Sequence, residues 1–147
     1  RYFYAQKQED NMEKVLKPAV AAGGGAVSYL FGGWGAALDI LLFCVIVDYI
    51  TGMISAFLEG ILVSKAGYIG IARKITIFIL VVISHKIDIY LGQSPFLRDA
   101  VVIFYIFNEM VSILENCGRI GVPIPPFLKE AIAVLKGKSE KEKGDKH

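Results

Sequence analysis

The sequence predicts an all-α integral membrane protein with three to four transmembrane helices, an amphipathic C-terminal helix and a charged tail. Three observations predict it. Hydrophobic residues make up 54% of the 147 positions and mean hydropathy is +0.52, above the roughly 45–50% apolar content of ordinary soluble domains. The charges are segregated: 15 of 30 lie in residues 1–18 and 136–147, and residues 19–118 carry only 12. A soluble surface needs far more polar cover than that. Finally, the apolar stretch divides into runs of about 20 residues, the helix length that spans a hydrocarbon core of about 30 Å.

Taken in order, residues 1–18 form a polar N-terminal segment. Met12 is a candidate native start, which would leave residues 1–11 outside the native protein. Ala19 to Gly33, rich in Ala and Gly, is a first, weak span, and residues 19–117 make the transmembrane domain. Ala36 to Leu58 is the second span, with Asp39 near an interface beside Trp34 and Asp48 inside. An acid at a bilayer centre costs about 2.5–3.5 kcal/mol on insertion scales, so Asp48 needs a reason. A third span runs from Ile71 to Leu91 and a fourth from Leu97 to Cys117. Gly121, Pro123, Pro125 and Pro126 then stop the helix, because proline lacks the donor and clashes with the preceding turn. Residues 118–135 combine this turn with an amphipathic helix carrying Leu128, Ile132 and Leu135, and residues 136–147 form a solvated tail with five Lys against three acids. Lys65, Arg73 and Lys74 outnumber Lys86 and Arg98. With the lysine tail, that bias places the C-terminus and the 59–74 loop in the cytoplasm.

Two helices carry polar stripes. At 100° per residue, Thr51, Gly52, Ser55 and Glu59 share a face with Asp48. Gly52, Ala56 and Gly60 add small residues at spacing four, a pattern that lets membrane helices approach closely. In the fourth span Arg98, Tyr105, Asn108, Glu109, Ser112, Glu115, Asn116 and Arg119 fall mostly on one half of the wheel. Polar groups cannot face lipid, so these stripes face helix contacts, a cavity or water. Asp48, Thr51, Ser55, Asn108, Glu109, Ser112, Glu115 and Asn116 are therefore the candidate pore-lining or helix-contact residues. A purely structural alternative pairs Arg98 with Glu109 or Asp99. His85, Lys86 and Asp88 read as an interfacial cluster rather than a proton relay, with Lys86 snorkelling to the headgroups.

Other functions lack their signatures. A net charge of +2 with no basic, aromatic-interleaved stretch argues against nucleic acid. Cys44 and Cys117 are isolated, so neither a disulfide framework nor a metal site is written in the sequence. There is no nucleophile elbow, phosphate loop or paired-histidine motif, and neither an enzyme activity nor a cofactor is expected.

Asp48-Tyr-Ile-Thr-Gly52, Ser64-Lys-Ala-Gly67 with Gly70, Arg73-Lys74, Asp88, Tyr105-Ile-Phe-Asn-Glu109, Ser112-Ile-Leu-Glu-Asn116 and Gly121-Val-Pro-Ile-Pro125 together resemble the toxin-secretion/phage-lysis holin family over about residues 36–135. The resemblance implies a phage or prophage protein of the bacterial cytoplasmic membrane. It further implies self-assembly into a homo-oligomer, and lesions that pass an endolysin or a secreted toxin, with an antiholin as a further partner. A small proton- or cation-coupled transporter or channel subunit, with Asp48 and Glu109 as coupling carboxylates, is the alternative from another class.

Overall fold

The computed structural model describes residues 2–61, 64–92, 94–128, 130 and 134, with side chains from Met12 onward and not for 64–66. The tail at 136–147 and most of the expected C-terminal amphipathic helix, including Ile132 and Leu135, lie outside the described residues. Four long helices follow one another: α1 (Tyr2–Phe31), α2 (Ala36–Leu58), α3 (Ser64–Tyr90) and α4 (Phe96–Ile120). Among the described residues there is no strand.

Two of these helices are long and apolar enough to cross a membrane: Ala36–Leu58 with mean hydropathy 2.2 and Gly67–Tyr90 with 1.8. α1 and α4, expected as the other spans, do not reach that composition. In α4 the reason is its own stripe, since Arg98, Asp99, Glu109, Glu115 and Arg119 all fall within 25 residues. α1 runs unbroken through Pro18, joining the expected polar segment to the expected first span. Strong helix formers flank the proline on its N-terminal side.

Glycine ends the helices. Gly60 sits at φ +70, with its N–H donating to Phe57 O at 3.1 Å and the Ile61 N–H to Ala56 O at 3.0 Å. Gly121, at φ +94, repeats this with Gly118 O and Cys117 O. Both are Schellman caps, which satisfy the last carbonyls and require a left-handed residue that glycine adopts without a Cβ penalty.

The bundle packs along three-four spaced seams. In α2 the seam residues are Leu38, Leu41, Val45, Asp48, Gly52 and Ser55; in α3 they are Gly70, Lys74, Ile77, Val81, Ser84 and Asp88; in α4 they are Arg98, Val102, Tyr105, Glu109, Ser112 and Asn116. This alternation of three and four is the geometry of left-handed helix pairs. Leu38, Leu41, Val45, Ile77, Val81 and Val102 form the buried core, with Phe31, Phe78, Val101, Tyr105 and Ile106 against it. α2 packs most extensively on α4, α3 packs on α4, and α2 touches α3 only slightly. A short apolar core is thus bounded at each end by charged seam residues, and the outer faces carry exposed Phe43, Ile46, Ile50, Ile79, Phe104 and Phe107.

Candidate functional site

The polar stripes of α2 and α4 meet inside the bundle. Asn116 Nδ2 on α4 donates to Asp48 Oδ1 at 2.9 Å, to the Asp48 carbonyl at 3.3 Å and to Thr51 Oγ1 at 3.2 Å. Thr51 in turn donates to the carbonyl of Val47, 2.9 Å away, the back-bond that lets a hydroxyl sit in an apolar helix without an orphan donor. Position 52 faces this amide: a Cβ on Gly52 would stand 3.4 Å from Asn116 Nδ2, in van der Waals contact with it.

α3 supplies the cation. Lys74 Nζ donates to Asp48 Oδ2 at 2.5 Å and also to Glu109 Oε2. The side chains of Lys74, Asp48 and Glu109 are 17%, 13% and 2% exposed, so three charges leave water together. That desolvation costs several kcal/mol per ion and is offset only by close pairing and hydrogen bonds. Here each acid meets the same ammonium and Asp48 also meets an amide.

Two cavities flank this cluster. One of about 280 Å³ is lined by Asp48, Gly52, Ala56, Lys74, Ser112, Glu115 and Asn116, among others. Another of about 460 Å³ is lined by Asp48, Arg73, Lys74, Tyr105, Asn108, Glu109 and Ser112, among others. The expected site residues therefore take three kinds of place. Asp48, Thr51, Glu109 and Asn116 join one network, while Asn108, Ser112 and Glu115 line its cavities. Ser55 lies farther along α2, buried at 1% exposure, with its hydroxyl donating to Glu59 Oε1 at 3.5 Å. Of the small residues, Gly52 and Ala56 are on this seam, but Gly60 is not a packing position. It lies past the helix end, with nothing within 4 Å of where a Cβ would be.

Lys74 is the residue that sequence reasoning misses, because it stands among the basic residues of the 59–74 loop. The signal was available: Lys74 is three and seven residues before Ile77 and Val81, on the seam face of α3. Tyr49 was missed as well. Its ring covers Gly70 and its hydroxyl lies over Gly67, which seats the start of α3 against α2.

The other charged cluster serves the backbone. Asp88 accepts from the N–H groups of Leu97 at 3.0 Å and Arg98 at 2.8 Å, capping the start of α4. The guanidinium of Arg98 donates to the carbonyls of Phe31 and Gly32 and pairs with Asp99. Arg98 thus takes the Asp99 partner that the sequence allowed, while Glu109 goes to Lys74. Lys86 lies 4.0 Å from the centre of the Tyr29 ring, a cation–π contact. His85 packs on Gly32, which has φ +72, and the ring leaves no space there for a side chain. Trp34 Nε1 donates to Asp39 Oδ1 at 2.5 Å, which satisfies both residues at the head of α2. Among the described residues, no group of three His, Cys, Asp or Glu side chains could hold a metal ion.

Residues 25–137 match the bacteriophage holin family. The chain is 45% identical over 135 residues to an uncharacterised protein of Halalkalibacterium halodurans, covering 88% of this chain and 100% of that one. It is 44% identical over 137 residues to an uncharacterised protein of Listeria innocua, covering 92% and 98%. It is also 37% identical over 117 residues to a probable holin of Bacillus phage phi105, covering 80% and 86%. No solved structure matches. An all-helical bundle with two apolar helices of spanning length, together with a family match over most of its residues, identifies the chain as a membrane protein that belongs to the bacteriophage holin family.

Proposed function

We propose that the chain is a phage or prophage holin that accumulates in the bacterial cytoplasmic membrane, oligomerises, and opens lesions through which an endolysin leaves the cytoplasm. A secreted toxin is the other cargo of this class, and an antiholin would act as a restraining partner. The observation that carries the reading is the inward-facing polar seam, with Asp48, Lys74, Glu109 and Asn116 satisfying one another between α2, α3 and α4 while the outer faces are apolar.

The physics follows from that division. As a single bundle the protein is compatible with lipid, because its charges are paired inside and Ile, Phe and Leu face out. The pairing is still a costly arrangement, since buried ions give up hydration. At high density neighbouring copies can exchange lipid contacts for contacts with each other and turn their seams to a shared aqueous space, where the same charges regain water. Asp48, Thr51, Ser55, Asn108, Glu109, Ser112, Glu115 and Asn116 would then line the lesion. Lysines near the α2–α3 connection and in the tail favour the cytoplasmic side for the C-terminus, where they can engage anionic lipid at about 1 kcal/mol each.

Inducible expression of the full chain in a bacterium, with and without a cytoplasmic endolysin, tests the reading. Culture density and release of a cytosolic enzyme are followed together. Abrupt lysis after a delay, dependent on the endolysin, is the expected result. Loss of membrane potential with no release of protein would replace it with a small-solute channel or transporter.

A further inference from the structure

We propose that Lys74 is the residue that holds the polar seam shut, so that its ion pairs set the moment of opening. This rests on the holin reading and names the regulation of the same seam.

Three features of the fold place the control on Lys74. First, α3 is weakly attached to α2: the two touch little, and the Lys74–Asp48 pair and the seating of Tyr49 on Gly67 and Gly70 supply polar and close contact between them. Second, Lys74 lies between the two cavities. Asp48, Gly70, Lys74 and Ser112 line both, so the Lys74–Asp48 pair stands between them. Moving α3 away from α2 and α4 would join the two spaces into one polar cleft, and Lys74 must leave its carboxylates for that to happen. Third, the charges at the point of closure are unequal. Two acids from α2 and α4 share one ammonium from α3, with Arg73 lining the cavity beside Asp48 and Glu109.

The inequality gives the device a direction. Without the ammonium, Asp48 and Glu109 lose the ion-pair partner they share in a poorly hydrated seam, and like charges at that range repel. The closed bundle is then disfavoured relative to any arrangement that hydrates the seam. Without one carboxylate, the remaining acid and lysine balance, and the closed bundle is favoured. A lysine that merely filled space would shift both variants the same way.

The test is the trigger time of lysis in cells making the full-length chain and an endolysin, with membrane accumulation followed by immunoblot. Lys74→Met is expected to trigger earlier, at a lower accumulated amount, by several-fold. Glu109→Gln keeps a hydrogen-bonding partner for the ammonium and is expected to trigger later than the native chain. If Lys74→Met fails to accumulate, Glu109→Gln decides alone. A trigger time for Glu109→Gln equal to or earlier than that of the native chain overturns the proposal, as does a later trigger for Lys74→Met at equal accumulation. If the native chain itself does not lyse the cells, the holin reading fails; if it lyses them and the variants do not separate, only the role of Lys74 fails.

Discussion

The two charged clusters of this bundle use the same residue types to opposite ends. At the α1–α3–α4 corner, Asp88 and Arg98 spend their charge on backbone: two N–H groups at the start of α4 and two carbonyls at the end of α1. Backbone groups at a helix end are held by the helix, so this corner ties the ends of three helices together. At the α2–α3–α4 seam, Asp48, Lys74, Glu109 and Asn116 satisfy chiefly one another across three helices. Side chains paired chiefly with side chains can be separated and hydrated without undoing any helix. The corner therefore behaves as a fastening and the seam as a closure, and it is the seam that has two cavities beside it.

The largest expected effect comes from removing the seam's acids. Asp48→Leu with Glu109→Leu should leave membrane insertion intact, since both changes raise apolarity and the long Lys74 side chain can reach the interface. Lysis should be strongly delayed or lost, and unchanged lysis timing would show that the seam does not line the opening. At the corner the pattern should reverse, with stability lost and timing affected only through the amount of protein. Gly32→Val places a branched side chain at φ +72 where the His85 ring already lies, and should cost at least about 2 kcal/mol, read as a lower midpoint in denaturing-detergent titration of the purified protein. Asp88→Ala removes the cap of α4 and should cost about 1–2 kcal/mol; faster amide hydrogen exchange at Leu97 and Arg98, with the seam still protected, would localise the loss. Smallest is Arg119→Ala, which breaks a 3.9 Å pair with Glu59 whose side chains are 61% and 37% exposed. Such pairs contribute about 0–1 kcal/mol, and a change in trigger time there would extend the closure beyond the seam.

How much of this was legible in the sequence depended on which kind of signal each part carried. The sequence predicts α2 with its observed bounds, Ala36–Leu58, because its apolar run has the length that spans a hydrocarbon core and stops at Glu59. α3 begins at Ser64 rather than near Ile71. Its first turns contain Gly67, Gly70, Arg73 and Lys74, which read as a loop until Tyr49 of α2 is seen covering the two glycines. α4 extends to Ile120 through Gly118, a residue that pattern reading treats as a stop. Asp48, Thr51, Glu109 and Asn116 could be found from the helical wheel because they are polar positions on otherwise apolar faces. Lys74 is likewise a polar position on the seam face of α3, but it stands among the charges at the start of that helix, and a single wheel does not show its partners 26 and 35 residues away on other helices.

The proposed exchange of a buried seam for a hydrated one can be measured on a single helix. In a chain with Cys44→Ala and Cys117→Ser, cysteine is placed either at Ser55, which is 1% exposed, or at Phe57, which is 70% exposed on the outer side of α2. Each is treated with a membrane-permeant maleimide, which reaches both sides of the membrane and reacts with thiols exposed to water, before and after the onset of lysis. A seam that turns to water gives a Ser55→Cys chain that is protected before and labelled after, while Phe57→Cys stays unlabelled in lipid throughout. Continued protection at position 55 with new labelling at position 57 would mean that the apolar face lines the opening, and would contradict the role assigned here to the polar seam.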